Sequence, residues 1–426
     1  MKLSAFLCTS FILTSNFAAK AETFSALNAW KELDHNLQTH YAYLEDFKGY
    51  QQTRQLFEKK LNNLDSKQAF IDLSQAYLRH FTDPHLNLGP LNEEDYSVYP
   101  TGADMYVEFY DNSALIIDVK RSSDADVKGL KPGDIVVKID GNTITQAIQD
   151  VMQVPLSQLN KAQKSYALNV ALGGKRYKTR EIEFKRDTKL VTVELAASYD
   201  AINALGKGLK VSYEKIDEFG HIRFNNAMGN TQTVAEFKAA LKSLGEVKGY
   251  IIDLRNTPSG GNTGVAEPIL GHFTAAPSVY QKYRTQTGTV QFNKAELKDA
   301  LTKPAKQQIK VPFVVLAGRW TGSIGEGMTI GFDALGADAI IGAPMADLLG
   351  GIKRLDLAQS DAWVEVGFER LYHVNGGFRE DFEPNIIVAG DMDKNGKDVA
   401  LETAVSVLHS KTNSGQKVAR KHPTKF

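Results

Sequence analysis

One serine stands where the chain changes from strand to helix, a setting that favours nucleophilic chemistry. Ser323 follows an apolar run, Phe313 to Leu316, that is typical of a strand buried on both faces, and then a turn from Gly318 to Gly322. Residues Glu326 to Leu335 are predicted to be helical, so Ser323 should lie at a helix N-terminus. There the amide of Ile324 could hold the oxyanion formed when Ser323 attacks a carbonyl group. A purely structural role as N-cap residue is an equal alternative, because serine is a favoured cap.

A glycine pair about sixty residues upstream could supply a second oxyanion donor. Gly249 to Leu254 is predicted to be another buried strand, and it leads into a loop that contains Gly260 and Gly261. Adjacent glycines let the backbone turn sharply and approach a substrate closely. The amide of Gly260 or Gly261 is therefore a candidate donor, although the same pair is compatible with an ordinary turn between a strand and a helix.

The two segments together resemble those of the C-terminal-processing, or tail-specific, serine peptidases, a family that includes the tricorn core protease. The matching elements are I-D-L-R-N-T-P-S-G-G at residues 252–261 and G-R-W-T-G-S-I-G-E at residues 318–326, with Ser323 three residues before Glu326. The resemblance implies that Ser323 is the nucleophile of a peptidase. The resemblance covers nearly the whole mature chain.

A serine nucleophile needs a base, and the resemblance offers two. Many members use a lysine about 25 residues after the serine, but residues 344–351 read P-M-A-D-L-L-G-G and contain none; the nearest lysine is Lys353. In the tricorn-like branch the base is a histidine that follows N-terminal helices, and His85 in D-P-H-L-N takes that place. A neutral histidine accepts a proton at physiological pH without strong desolvation, which favours His85. A loop histidine without function and a Ser-Lys pair using Lys353 remain the alternatives.

A carboxylate that orients the base is expected near the end of the core. The segment G-G-F-R-E-D-F-E-P-N at residues 376–385 resembles the family element that carries it. Glu380 is the first candidate, with Asp381 and Glu383 behind it, and a solvated acidic turn is the alternative for each.

Residues 101–195 resemble a PDZ domain. The strongest part is G-L-K-P-G-D-I-V-V-K-I-D-G at residues 129–141, in which a turn, a strand from Ile135 to Ile139 and a hairpin turn at Asp140 and Gly141 are predicted. A PDZ domain adds an extended peptide to a strand edge. Met105, Tyr106 and Val107 are the predicted edge, and a scaffolding role is the alternative.

The two ends of the chain predict export. An apolar run from Leu3 to Leu13, too short to cross a bilayer, is followed by Ala19-Lys20-Ala21, which predicts a signal peptide over residues 1–21 and a periplasmic or secreted protein. The single cysteine, Cys8, lies inside that segment, so the mature fold cannot depend on disulfides. Residues 411–426 carry five basic and no acidic residues and predict a flexible basic tail.

Composition and spacing argue against other classes of function. The chain has 50 basic and 50 acidic residues, and loss of Lys2 and Lys20 with residues 1–21 would leave a net charge of −2, which gives no reason to expect nucleic acid. No apolar stretch after the signal segment is long enough to span a membrane. The histidine pairs His35/His40 and His80/His85 lack further ligands for a metal, and no phosphate-loop lysine follows the glycines around Ser323. We expect neither metal nor cofactor.

The sequence therefore predicts a multi-domain α/β protein. We expect a signal peptide (1–21), a helical segment (22–100), an inserted PDZ-like β-rich domain (101–195), a crotonase/ClpP-like core of ββα units (206–410) and the tail (411–426). The predicted function is cleavage of unfolded or C-terminally exposed polypeptides by Ser323 with His85 as base; self-association is possible. A non-catalytic peptide-binding or scaffold protein remains the rival.

Overall fold

The computed structural model describes residues 24–286 and 294–413. The predicted signal segment and residues 414–426 of the predicted tail lie outside this range. Three helices come first: α1 (Ala26–His40), α2 (Tyr50–Glu58) and α3 (Lys67–Arg79). Ser25 and Ser66 cap α1 and α3 by accepting hydrogen bonds from the amides of Asn28 and Ala69. The short strand β1 (Asn87–Gly89) follows α3.

A β-rich unit comes next, in the part of the chain predicted to resemble a PDZ domain. Its elements are β2 (Met105–Tyr110), β3 (Ser113–Val119), α4 (Asp124–Val127), β4 (Ile135–Ile139), β5 (Asn142–Thr143), α5 (Ile144–Met152), α6 (Lys161–Gly173), β6 (Arg180–Arg186), β7 (Lys189–Leu195) and then α7 (Ser198–Lys207). The sheet order is β2-β3-β4-β6-β7, with β5 paired to β4. The predicted strand from Ile135 to Ile139 is confirmed. Asp140 and Gly141 turn with φ of 49° and 76°, as a tight hairpin turn requires.

The core unit is built on a six-stranded sheet. Its elements in chain order are β8 (Val211–Ile216), β9 (Phe219–Phe224), α8 (Gln232–Leu244), β10 (Gly249–Asp253), α9 (Thr263–Leu270), β11 (Ser278–Thr285), β12 (Lys298–Thr302), β13 (Phe313–Ala317), α10 (Ile324–Ala334), β14 (Ala339–Gly342), β15 (Ile352–Leu357), β16 (Ala362–Gly367), β17 (Glu369–Tyr372), β18 (Ile386–Ile387) and α11 (Val399–Asn413). The sheet order is β18-β14-β13-β10-β9-β8, and every pair is parallel except β8 with β9.

Both faces of this sheet are buried, which explains why its central strands are wholly apolar. Along β13, Phe313 and Val315 pack into the cluster that contains α8, α9 and α10, whereas Val314 and Leu316 pack against α11. Side chains alternate between the faces of a strand, so covering both faces requires an uninterrupted apolar run. The α/β architecture predicted for this region is confirmed.

Two features of the structure bear on the predicted boundaries. The segment 22–100, predicted to be mostly helical, also contains β1, which pairs antiparallel with β16 of the core. The first three helices, the β-rich unit and β16 also share one hydrophobic cluster, so the segments predicted as separate are packed together. At the other end, residues 411–413 are the last residues of α11, and Lys411 forms an ion pair with Asp338 at 3.3 Å. The predicted tail is therefore helical at its start.

Candidate active site

Ser323 lies between β13 and α10, at the strand-to-helix turn predicted from the sequence. It is the N-cap residue of α10, but its backbone has φ 53° and ψ −111°. An ordinary N-cap residue has extended dihedral angles and a negative φ. A positive φ in a residue other than glycine is uncommon and is found at functional sites, among them the sharp turn that presents a nucleophilic serine after a strand. Capping therefore does not by itself account for this conformation.

Gly260 lies directly against Ser323. A Cβ atom placed on Gly260 would lie 2.4 Å from Ser323 Cβ and 2.9 Å from Ser323 Oγ, so only glycine fits this position. Gly260 also has φ +63°, a conformation that side chains disfavour. The structure thus brings together two of the residues that the sequence singled out in separate segments.

The loop from Arg255 to Gly261 is fastened to the serine turn by backbone contacts. Thr257 donates its amide to the Trp320 carbonyl at 2.9 Å and pairs with Thr321 in a parallel bridge. Gly325 completes the fit, because a Cβ there would lie 2.3 Å from Thr257 Oγ1. These contacts continue the parallel pairing of β10 with β13 beyond the strand ends, which is why two distant segments meet.

The two glycines considered as oxyanion donors differ in their amides. The Gly260 amide donates to the Thr257 carbonyl at 3.0 Å and is therefore engaged. Within residues 24–286 and 294–413, no acceptor is found for the amide of Gly261 or for that of Ile324, the first residue of α10. Gly261 follows Gly260 and Ile324 follows Ser323, so one backbone donor remains on each of the two segments that meet at the serine.

His85 is buried, and its ring is oriented by a backbone carbonyl. Nδ1 lies 3.0 Å from the Leu349 carbonyl oxygen, which can only accept, so Nδ1 carries the proton and Nε2 is left as the basic nitrogen. Burial lowers the pKa of His85 to about 4, with the Leu349 carbonyl opposing and the nearby Arg379 reinforcing the shift. The His85 amide donates to Asp83 Oδ1 at 2.9 Å, which holds the D-P-H-L-N loop in place. No hydrogen bond joins His85 to Ser323 in the described part of the chain.

Glu326 connects the serine turn to the loop that carries Leu349. One of its oxygens, Oε2, accepts the amides of Ser323 at 2.6 Å and of Leu348 at 3.2 Å, and Oε1 accepts the amide of Asp347 at 3.0 Å. The side chain is buried, and burial raises the pKa of Glu326 to about 8 although these amides and a nearby arginine favour its charged form. The sequence identified Glu326 only as a motif position, not as this connector.

Arg379 is the nearby arginine, and sequence reasoning missed it. It is 3% exposed, donates to the Ser323 carbonyl at 3.1 Å and to the Leu348 carbonyl, and lies 3.5 Å from Glu326 Oε2. Ser323 and the loop that orients His85 are thus held by one buried ion pair. The sequence feature that pointed closest to Arg379 was the candidate at the next residue, Glu380.

Glu380, the predicted orienting carboxylate, is placed differently. Its Oε1 lies 3.5 Å from the Arg370 guanidinium, while the group that contacts the His85 ring is the Leu349 carbonyl. Burial raises the pKa of Glu380, whereas Asp381 and Glu383 are exposed. Of the three acidic candidates, only Glu380 is partly buried at the site.

Lys353 does not approach the serine turn. It lies exposed on β15, with His40 among its charged neighbours. In the described residues no hydrogen bond or ion pair connects Lys353 to Ser323, so the geometry gives no support to the Ser-Lys alternative.

The predicted peptide-binding edge carries contacts from within the protein. Met105 and Val107 are buried, and the backbone of Val107 is paired on both sides with the Asn169 side chain of α6: Val107 N to Oδ1 and Asn169 Nδ2 to the Val107 carbonyl, each 2.9 Å. Ser165 of α6 accepts the amide of Phe109 at 2.9 Å. An added peptide strand would need these same groups.

Tyr106 alone of the three predicted edge residues reaches the serine turn. It is half-buried, and the Arg319 guanidinium lies 4.2 Å from the centroid of its ring. Arg319 is in the turn between β13 and Ser323, and the next residue, Trp320, donates its indole N–H to the Ala103 carbonyl at 3.0 Å. The β-rich unit therefore packs directly on the candidate active site.

Two negative predictions concern metals and membranes. Within the described residues, no group of three or more histidine, cysteine or acidic side chains is arranged to hold a metal ion. None of the helices in residues 24–286 and 294–413 is long and apolar enough to cross a membrane.

An α/β sheet that ends in a strained serine turn defines a hydrolase-like class of protein, and comparison with known proteins specifies it. Residues 210–388 match the family model described as peptidase family S41. It is 26% identical over 196 residues to the carboxy-terminal processing protease CtpB of Bacillus subtilis (strain 168). That match covers 46% of this chain and 36% of the relative, so the chain spans well under half the length of this curated relative.

Solved structures show the same fold over most of the chain. The photosystem II D1 C-terminal processing protease is similar with a TM-score of 0.55 at 16% identity, covering 91% of this chain and 97% of that protein. Mature CPAF is similar with a TM-score of 0.59 at 14% identity, covering 92% and 98%. The resemblance to this peptidase family and the α/β fold expected from the sequence motifs are confirmed.

Proposed function

We propose that this protein is a serine endopeptidase in which Ser323 attacks a peptide carbonyl. The observation that carries the proposal is the backbone of Ser323, held at positive φ at the end of β13 with Gly260 packed against its side chain. Such a turn exposes the hydroxyl to a substrate and leaves helix N-terminal amides beside it. The family match supports the same chemistry.

His85 is proposed as the general base. Because Nδ1 is engaged by the Leu349 carbonyl, Nε2 is the nitrogen that would take the proton from Ser323 and return it to the leaving amine. In the usual triad an acidic residue orients the histidine; here the Leu349 carbonyl would take that role. Catalytic hydrogen bonds are often formed only when substrate is bound, and closure of the Ser323–His85 pair is expected at that stage.

The oxyanion is proposed to lie between the amides of Ile324 and Gly261. Both are without an acceptor among the residues described, whereas the Gly260 amide is engaged by Thr257. Gly260 instead serves by giving room for the Ser323 side chain. The sequence alone did not distinguish which of the two glycines would supply the oxyanion donor.

Substrates are proposed to be polypeptides with accessible unfolded segments or C-terminal tails. The name of the Bacillus subtilis relative, a carboxy-terminal processing protease, supports this class, as does the direct packing of the β-rich unit on the serine turn. We also propose that residues 1–21 direct export, so that cleavage takes place outside the cytoplasm.

The test is labelling of the purified protein with a fluorophosphonate probe. Labelling of the wild type, its loss in Ser323→Ala and its strong reduction in His85→Gln are expected, with Ser259→Ala as a control for a neighbouring serine. Cleavage of an unfolded protein substrate should follow the same order. Folded variants that label equally with and without Ser323 would contradict the proposal.

The rival function is peptide binding without cleavage. The observation that favours it is the missing hydrogen bond between His85 and Ser323 in the described structure. Absence of labelling in the wild type, with retention of peptide binding in Ser323→Ala, would support this second function.

A further inference from the structure

A cavity of about 800 Å³ lies between the β-rich unit and the β8–β9 edge of the core sheet. Its wall includes Lys120, which follows β3, and Asn256, which belongs to the loop leading to Gly260. We call it the Lys120 cavity. Cavities of this volume hold small organic ligands or several residues of a peptide.

Lys120 is the unusual member of this wall. The residue is only 9% exposed, and in the described ranges its amine forms neither an ion pair nor a hydrogen bond. A buried ammonium group without a hydrogen-bonded partner is costly. Burial and nearby Arg223 lower the pKa of Lys120 to about 8, although the more distant Asp391 and Asp104 carboxylates oppose this shift. An anion in the cavity would remove this cost.

The other charges of the cavity are already paired. Arg180 binds Asp104 at 2.6 Å, Arg121 binds Asp398 at 2.9 Å, and His221 lies 3.2 Å from Glu214. Arg223, a further basic side chain of the wall, lies 3.5 Å from the buried Asp253, and Asp124 accepts the Ala196 amide at 2.7 Å. Among the lysine and arginine side chains described in this wall, Lys120 is thus the one without such a partner, and a single unpaired cation suits a ligand with a single negative charge.

The wall also has an apolar part at its outer side. Leu209 and Tyr213 line the cavity and are 67% and 45% exposed, whereas Lys120 is nearly covered. A ligand with an acidic end and an apolar body would therefore enter with its acidic end toward Lys120. The apolar body would cover two side chains that are otherwise in water.

We propose that the Lys120 cavity is a binding site for an organic monocarboxylate, with the Lys120 amine as the group that receives the carboxylate. The carboxylate can come from a free organic acid or from the C-terminus of a peptide, since the recognised chemistry is the same. Ser323 is not among the residues that line this cavity, and binding there does not require that the protein cleave peptides.

Binding is tested in the full-length Ser323→Ala protein, so that hydrolysis cannot interfere. One arm compares hexanoate with hexanamide, and the other compares a fluorescent tetrapeptide ending in leucine as free acid with its C-terminal amide. In at least one arm the acid should bind about tenfold or more tightly than the amide, as expected for one charge-assisted contact. The arm that responds identifies the source of the carboxylate.

Lys120→Met keeps most of the apolar stem and should abolish the preference for the acid. The matched control is Lys128→Met, an exposed lysine of the same unit, which should keep the preference. Equal binding of acid and amide in both arms, or a preference that survives Lys120→Met, would overturn the proposal.

A second measurement avoids dependence on the variant's folding. Acetylation of lysines by N-hydroxysuccinimidyl acetate, followed by mass spectrometry, should show Lys120 protected by the binding acid but not by its amide, while Lys128 reacts equally in both. Lack of protection of Lys120 at saturating acid would count against the site. Because neither readout uses Ser323, failure here is distinguishable from failure of the proposed peptidase activity.

Discussion

Arg379 donates a hydrogen bond to the carbonyl of Ser323, with 3.1 Å between the guanidinium nitrogen and the oxygen. The same guanidinium also donates to the Leu348 carbonyl, and the carbonyl of the next residue, Leu349, orients the His85 ring. One buried side chain thus positions both proposed catalytic residues, which lie 238 residues apart in the sequence.

Arg379→Met should destabilise the protein and suppress its reactivity together. Above pH 8, where Glu326 is ionised, the substitution leaves a buried carboxylate without its cation, a change that costs about 3–5 kcal/mol of unfolding free energy in comparable cases. Urea denaturation and the rate of fluorophosphonate labelling measure the two effects. Adding Glu326→Gln to Arg379→Met should recover part of the lost stability because the unpaired charge is removed. A double variant no more stable than Arg379→Met would show that the charge pairing is not the cause.

Gly260→Ala should lower the reactivity of Ser323 far more than it lowers stability. The new methyl group would lie 2.4 Å from Ser323 Cβ and must displace the nucleophile. Gly245→Ala is the matched control, since Gly245 has φ +61° and nothing within 4 Å of a Cβ. Both changes should cost about 1–2 kcal/mol from backbone strain. Equal labelling rates in the two variants would contradict the placement of Gly260 at the site.

The acidic limb of the labelling rate that reports His85 should lie near pH 4, below the pKa values of about 8 and about 7 to which burial raises Glu326 and Asp83. Burial lowers the pKa of His85 to about 4, so the ring stays neutral and basic through pH 5–6 and loses its function when it is protonated below that range. A free histidine would give a midpoint near 6.5. Because burial raises the pKa of the nearby Asp347 to about 6, Asp347→Asn should be measured alongside, and its acidic limb should remain near pH 4. A wild-type midpoint at 6.5 would contradict a buried His85 base.

Asn169→Ala should destabilise the β-rich unit and free the edge of β2. The Asn169 side chain satisfies both backbone groups of Val107, and leaving these buried groups unpaired costs about 2–5 kcal/mol. Thermal unfolding measures this loss. Asn169→Asp should retain the contact to the Val107 amide but not that to its carbonyl, so an intermediate loss is expected. Unchanged stability in Asn169→Ala would show that water replaces the side chain.

Much of the local structure was predictable because it depends on neighbouring residues. The apolar run before Ser323 and the helix after it define a strand-turn-helix element by periodicity alone, and the glycines mark where the backbone must bend. The D-L-R-N-x-x-x-G-G and serine-turn elements pointed to the family whose model matches residues 210–388. The order of the elements also indicated that both loops would lie at one end of a parallel sheet.

The contacts that complete the site were not predictable, because their partners are far apart in sequence and their burial depends on the whole fold. The ring of His85 is oriented by Leu349, 264 residues away, and a backbone carbonyl carries no sequence signal. The contact of the β2 edge with side-chain groups of α6, some sixty residues later, was likewise not predictable, and peptide binding at Met105 and Val107 stays a prediction. The sequence by itself determined the strand-turn-helix segments, since hydrophobic periodicity and glycine placement act over a few residues. Only the tertiary structure decided which arginine, carbonyl and amide groups face Ser323, because desolvation and hydrogen bonding act between whichever groups packing brings within about 3 Å.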